Sequence, residues 1–431
     1  MSSLPKILDQ TLRAALQRSQ PKICLPGYLK EIQETEKLPE RIIVLGAGKA
    51  SAEMANSLED HWQGKDWGAK LCGLVLTRYG YGVPCKSIEI VEAAHPVPDE
   101  TGLITAQRIL NLAKSATDQD LVICLISGGG SALLALPCKG LTLQDKQALN
   151  RSLLNSGATI GEMNCVRKHL SAIKGGRLAR AVQPARLWTL AISDVPGDDL
   201  SVIASGPTVP DPTTFSDALE ILRRYRIQPT PAIQALLEAA QEETPKPGEN
   251  IFSRNQVRLV ATPQLMLEAA AKEAEQLGIT PIILSDRIEG EAREVAKVHA
   301  AIAKQIKHRD QPINSPALIL SGGETTVTVR GKGKGGRNTE FILSLLEALQ
   351  GEEGISAISI DTDGIDGTED NAGAWIDQNS FLKAKQLNLK PNDFLADNDT
   401  YRFFQQLGQL VLTGPTMTNV NDFRAIFVSQ P

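Results

Sequence analysis

Arg41-Ile-Ile-Val-Leu-Gly-Ala-Gly-Lys-Ala50 and Leu121-Val-Ile-Cys-Leu-Ile-Ser-Gly-Gly-Gly-Ser131 share one plan: an unbroken apolar run, a glycine turn, then a helical stretch. A short continuous apolar run that ends at a turn is what a strand buried on both faces requires, and helices must then cover the sheet. Both stretches read as strand–turn–helix units of a parallel sheet. Glycine lets backbone N–H groups crowd around an anion, and a helix starting there adds its positive end. A third glycine-rich turn, Gly331-Lys-Gly-Lys-Gly-Gly-Arg337, follows Thr325-Thr-Val-Thr-Val-Arg330. Three such turns, two with embedded cations, point to an enzyme handling a polyphosphate and a small anion.

Further strands are expected at 71–76, 187–192, 256–261, 281–284, 317–320, 325–330, 356–360 and 423–428. Helices are expected at 49–62, 99–115, 142–157, 165–182, 215–226, 231–241, 264–277 and 289–307. Such alternation is the pattern of an α/β protein. A length of 431 residues predicts two or three domains at roughly 150 residues each. The polar, proline-broken stretch Glu242–Asn250 is the best linker, which gives lobes at 4–241 and 251–430. A ligand site is expected in a cleft between them, where strand-end loops converge.

The net charge of −5 implies no broad basic surface and argues against nucleic acid as a partner. Anions must then be bound by local loops. The six cysteines lack CxxC spacing or neighbouring histidines, the usage of reduced thiols in a cytoplasmic protein. Residues 1–20 read as an amphipathic helix. Asp9 and Arg13 interrupt any signal-peptide core, and no apolar run reaches the ~20 residues of a membrane span. A soluble protein without a membrane partner is expected.

Lys49 sits at the turn after the first run, beside Gly46 and Gly48, where a helix N-terminus would hold phosphate or carboxylate. The loop is not a Walker A motif, because only two residues precede its Gly-Lys pair. In the second turn Gly128, Gly129 and Gly130 favour close backbone approach, while Ser127 and Ser131 add hydroxyl donors. Gly331–Arg337 matches GxGxxG, with Asp361 about 20 residues on, so a dinucleotide reading competes. Against it stand the alternating Thr/Val strand and the charges of Lys332, Lys334 and Arg337, which suit a phosphoryl group in transfer. Ser193–Asp199 and Asp361–Asp366 are acidic strand-end segments, suited to Mg²⁺ or to Asx turns. Asn164–Arg177 reads as one basic helix carrying Arg167 and Lys174 on a shared face, and His95 in a stiff loop carries no assigned role.

Taken together, these stretches are similar to the glycerate 2-kinases of the MOFRL type over nearly the whole chain. The resemblance rests on GAGKAS (46–51), HPVPDE (95–100), ISGGGSALL (126–134), NCVRKHLSAIKGGRLA (164–179), SDVPGDDLSVIASGPTVPD (193–211), SGGETTVTVRGKGKGGRNTE (321–340), DTDGIDG (361–367) and TGPTMTNVNDF (413–423). It implies ATP- and Mg²⁺-dependent phosphorylation of D-glycerate, most often at the 2-hydroxyl. It also implies a Rossmann-like, doubly wound N-terminal domain and a smaller mixed-sheet C-terminal α/β domain. The family's essential lysine falls on Lys49 and its essential arginine on Arg337.

Around these two, the expected substrate or nucleotide contacts are Gly46, Gly48, Ser127–Ser131, Arg167, Lys174, Gly322, Gly323, Glu324, Lys334 and Asn338. Asp194 and Asp363 are the metal candidates. The expected partners are D-glycerate and the nucleotide, with a homodimer left open. The rivals are phosphorylation at the 3-hydroxyl, an NAD(P)H-dependent hydroxypyruvate reductase, and a non-catalytic sensor. Thr339 stands where the family has Gln, Thr368–Asn371 lacks the usual proline, and Met417 replaces a common glycine.

Overall fold

The two opening runs become adjacent central strands in the computed structural model, which describes residues 4–430. They are β1 (Ile42–Ala47) and β4 (Leu121–Ile126), every residue of both being buried. The other strands of this six-stranded sheet are β2 (Leu71–Arg78), β3 (Ile88–Ala93), β5 (Arg186–Ile192) and β6 (Asn255–Ala261), in the order β3-β2-β1-β4-β5-β6. The first five run parallel. From β1 the chain winds outward through β2 and β3, then crosses back to β4 on the other side. The β1/β4 boundary is thus the topological switch point, where loops diverge and leave a crevice. Ala47 pairs with Ile126, so the two glycine turns leave the sheet side by side.

This sheet belongs to a unit formed by residues 21–193 and 198–260. Four of its helices, Leu143–Leu154, Ile160–His169, Phe215–Arg224 and Pro231–Ala239, pack through Leu149, Leu153, Val166, Phe215 and Leu222. Three of them start at capping boxes, Thr142/Asp145, Thr159/Glu162 and Thr214/Asp217.

The second unit contains the residues up to Gln20, Asp194–Gly197 and the chain from Ala261 onward. Its strands are β7 (Thr280–Ser285), β8 (Gly290–Glu291), β9 (Ala317–Gly323), β10 (Thr325–Thr326), β11 (Ile355–Asp361), β12 (Gly373–Ile376), β13 (Leu410–Val411) and β14 (Asp422–Val428). Six form a mixed sheet in the order β13-β12-β11-β14-β9-β7, in which only β7 and β9 pair parallel. Helices Ala292–Arg309 and Arg337–Leu349 pack together over its core through Ala296, Ala303, Phe341 and Leu345.

Four expectations need correction. The units do not follow the linear division at 241/251: helix Lys6–Ser19 buries Leu8, Leu12 and Ala15 and packs on helix Pro263–Gln276 in the second unit. Glu242–Asn250 is pinned rather than free, because Glu243 accepts hydrogen bonds from the N–H groups of Phe215 and Thr244 and pairs with His169. The strand expected at 325–330 lasts two residues, since Glu291 takes the N–H and hydroxyl of Thr328 while Asn398 takes the N–H of Arg330. Finally, the basic helix ends at His169 and resumes at Arg177. Between them the N–H groups of Cys138 and Ala172 bond to the carbonyls of Leu170 and Leu136. Strands β3, β12 and β13 were not expected from the sequence.

Candidate active site

At the switch point the two turns interlock. Gly48 has φ +145°, and a Cβ there would overlap Ser127. That closeness lets Lys49 N–H donate to the Gly128 carbonyl at 2.8 Å and Ala50 N–H to Ser127 Oγ at 3.0 Å. Gly46 is a packing glycine, since a Cβ would sit 2.7 Å from the Leu125 carbonyl. Gly129 has φ +81°, and a Cβ there would lie 3.0 Å from His95 Nε2 and 3.3 Å from Lys49 Cγ. Lys49 and His95 therefore flank one turn of backbone, buried at Gly128 and half-buried at Gly129. Among the described residues no acceptor is found for the N–H groups of Gly128 and Gly129, although backbone donors are almost always paired when buried.

Beside this turn lies a cavity of about 400 Å³, walled by leucines including Leu143 and Leu153 and lined also by His95, Gly129 and Ser131. Lys146, Arg167 and Lys174 reach it from the first unit's helices and the segment after them. Lys174 Nζ donates to the Ser131 carbonyl at 2.6 Å and to Ser131 Oγ at 3.1 Å. Ser131 Oγ contacts Ser205 Oγ at 2.8 Å, and Ser205 donates to Asn164 Oδ1. Arg167 donates twice to Asn150 Oδ1, at 2.8 and 2.6 Å. Burial, then the charges of Lys146 and Arg167, pull the Lys174 ammonium well below its ordinary pKa. Burial also lowers Lys146, to about 8. Arg167 and Lys174 thus meet at one cavity, although not on one helix face. Lys146 and Asn150 went unnoticed in the sequence because they sit on a helix with ordinary surface spacing.

The second unit gathers a different constellation. Arg337 opens its helix and donates to Asp422 Oδ1 at 2.8 Å, Glu324 Oε1 at 2.8 Å and Asp361 Oδ2 at 3.0 Å. Burial opposes its charge, but these three carboxylates outweigh burial and raise the guanidinium well above its usual pKa. Asp422 is fully buried and also pairs with buried Arg424 at 2.6 Å. Asn338 is fully buried too. Its amide donates to Asp422 and its Oδ1 accepts from Ser359, so it braces the Arg337 partner rather than meeting a ligand.

The glycine loop before Arg337 is spent on the protein itself. Asn398 takes the N–H groups of Arg330 and Gly331, Asp397 those of Lys332 and Gly333, and Asp399 that of Lys334. The buried Asp366 carboxylate accepts from the N–H groups of Asn338 and Thr339, occupying the helix N-terminus. Four successive N–H groups, from Gly331 to Lys334, are thereby taken up within the chain, which leaves this loop less open to a pyrophosphate than a dinucleotide fingerprint requires. Lys334 instead pairs with Glu369 at 2.9 Å. Gly323 meets the backbone of Ile288, and the Gly322 carbonyl accepts from Ile288 N–H and Arg424.

Of the metal candidates, Asp363 is buried and its Oδ1 closes a turn on Ile365 N–H. Asp194 is partly exposed and is held through Asn419 and Asn421. Among the described residues no three His, Cys, Asp or Glu side chains form a metal cluster.

Residues 7–238 match the family model described as a domain of unknown function, DUF4147, and residues 317–422 match the MOFRL family model. A Thermotoga maritima protein named "D-glycerate 2-kinase" is 41% identical over 89% of this chain and 89% of its own. The chain belongs to the glycerate kinase type 2 family. The crystal structure of a glycerate kinase from Thermotoga maritima superposes with a TM-score of 0.89 at 38% identity, covering 98% of this chain and 99% of that one. A member from Agrobacterium vitis, named "Putative hydroxypyruvate reductase", is 50% identical over 99% of this chain and 95% of its own. Within the family this chain is a kinase whose departures fit their places. Thr339 Oγ1 accepts from Gly336 N–H and reaches Asp366 at 2.8 Å. Met417 has φ +60°, which is why glycine suits that position.

Proposed function

We propose that the protein transfers the γ-phosphoryl group of ATP to the 2-hydroxyl of D-glycerate, giving 2-phosphoglycerate and ADP. The observation that carries this reading is the pair of unclaimed N–H groups at Gly128 and Gly129 beside Lys49. A phosphate is the ligand such a turn accommodates. In the reaction the glycerate oxygen attacks phosphorus, the bond to the β-phosphate oxygen breaks, and the hydroxyl proton leaves to water. Little covalent work falls to the protein, so positioning and charge neutralisation supply the acceleration. We assign the neutralising roles to Lys49 and Arg337, the two cations that the family resemblance marks as essential. The second unit's carboxylates keep Arg337 charged and fixed.

Mg²⁺ that arrives with a triphosphate needs only one or two protein carboxylates. Asp194, partly exposed, would be the more accessible of the two candidates, Asp363 being buried. When bound, such an ion would neutralise charge on the phosphates. Among the described residues no two cysteines form a disulfide. No helix among the described residues is long and apolar enough to cross a membrane.

The names of the Agrobacterium vitis relatives favour a second reading, reduction of hydroxypyruvate with a nicotinamide cofactor. Incubation with ATP, Mg²⁺ and D-glycerate, read by phosphorus NMR, should give a 2-phosphoglycerate signal that a chelator abolishes. NADH consumption with hydroxypyruvate and no phosphoester would overturn the kinase reading. A 3-phosphoglycerate signal would overturn its regiochemistry alone.

A further inference from the structure

Three cations meet the cavity beside Gly129, and each is bonded to neutral groups: Lys146 to the Leu136 carbonyl, Arg167 to the Asn150 amide oxygen, Lys174 to Ser131. Other cations of this unit differ. Lys168 has Asp211 at 3.4 Å, and Arg186 has Glu36 at 2.8 Å. Lys174 is buried and Lys146 and Arg167 are half-buried; cations drawn out of water without a counter-ion are costly, and a bound anion compensates them. The lining also has an apolar part, with Leu143, Leu149, Leu153 and Leu154 contributed by the helix that carries Lys146.

A three-carbon hydroxy acid has almost no apolar surface to set against leucines, and about 400 Å³ far exceeds its bulk. A nucleotide has both parts, a polyanion and a flat base with apolar faces, and pockets of 300–1,000 Å³ suit ligands of that size. We infer that this cavity is the nucleotide site, with the triphosphate against Gly128–Ser131 and the three cations and the base against the leucine wall. This rests on the kinase reading and adds which loop serves which substrate: the nucleotide is held by the first unit alone.

The test is calorimetric titration with ATP, and separately with inorganic tripolyphosphate, alongside steady-state kinetics. Ala132→Met fills the cavity and Leu154→Asp charges its exposed rim. Either should raise the Kd for ATP by about tenfold or more while moving that for tripolyphosphate less than about twofold. Lys146→Met should weaken both ligands. If the two wall variants leave ATP binding unchanged, the inference is overturned, and a tenfold rise in glycerate KM would reassign the cavity to the acceptor with the kinase reading intact. Wild-type protein that neither binds ATP nor forms a phosphoester would instead sink the kinase reading itself. Leu154 is 59% exposed, so its variant tests the proposal even if Ala132→Met fails to fold.

Discussion

Two glycine loops with nearly the same sequence signal have opposite fates in this molecule. Ser127–Ser131 keeps two N–H groups unclaimed beside Lys49 and a cation-lined cavity. Gly331–Gly336 carries more charge, yet it is laid over Asp397–Asp399, which take up the N–H groups of Gly331 to Lys334. Glycines report that something approaches the backbone closely. They do not report whether that something is a ligand or the rest of the chain. What separates the two loops is side chains far away in sequence: the second loop has three acidic or amide side chains waiting at 397–399, and among the described residues no such side chain accepts from the backbone of the first.

The largest effect should come from the acidic side of this contrast. Asp422 is buried between Arg337 and Arg424. Asp422→Ala leaves two buried guanidinium groups undercompensated and should cost about 3–5 kcal/mol of stability. Urea unfolding monitored by circular dichroism measures this directly. A loss below about 1 kcal/mol would mean that Glu324 and Asp361 suffice, and that the second region is less of a structural ion cluster than its geometry indicates.

Lys49→Met probes the other side. It removes a cation at the turn without emptying a core, so turnover should fall about a hundredfold or more while the unfolding midpoint stays near that of the wild type. Activity within a few-fold of wild type would remove Lys49 from the mechanism.

A matched pair of substitutions then sharpens the comparison itself. A Cβ at Gly331 would overlap the Asp397 carbonyl, so Gly331→Ala should destabilise by about 1–3 kcal/mol and leave the KM for ATP unchanged. Gly129→Ala places its methyl between His95 and Lys49 and should raise that KM several-fold. If the two exchanged signatures, with Gly331→Ala impairing ATP use and Gly129→Ala only stability, the assignment of the loops would be inverted.

This pair also marks how far the sequence could be read. The strands β1 and β4 and the turn after each were legible because an unbroken apolar run followed by glycine has one good structural solution. Lys49 and Arg337 were legible as cations at such turns. The break after His169 was not, because the groups that stop that helix, the backbone of Leu136 and Cys138, lie about 30 residues away. Short strands such as β13 depend wholly on a partner. Helix Lys6–Ser19 showed its amphipathic face, but not that helix Pro263–Gln276 would cover it. Lys146 was hidden for a related reason: its helix looks like any solvated one, and only the packing of Leu149 and Leu153 turns that face toward a cavity.

Lys146 supplies the smallest predicted effect and the one most specific to the cation-lined region. Burial brings its pKa down to about 8, from an ordinary value of 10.5. Below pH 8 the folded protein presents the charge. Above it the ammonium loses its proton and one of three cations facing the cavity is gone. A bound polyanion favours the charged form, so binding above pH 8 must take up a proton, and affinity falls as pH rises. The KM for ATP should therefore climb several-fold between pH 7.5 and about 9.5. In Lys146→Met the same plot should be higher at neutral pH and flat across that window. Stability runs the other way. From pH 8 to 10.5 the unfolded chain holds a proton that the folded one has released, so the contribution of Lys146 to the unfolding free energy increases with pH. Weaker nucleotide binding together with an unfolding free energy that does not fall would tie the pH effect to the cavity rather than to loss of the fold. A KM profile that is equally steep in Lys146→Met would assign the titration to another group.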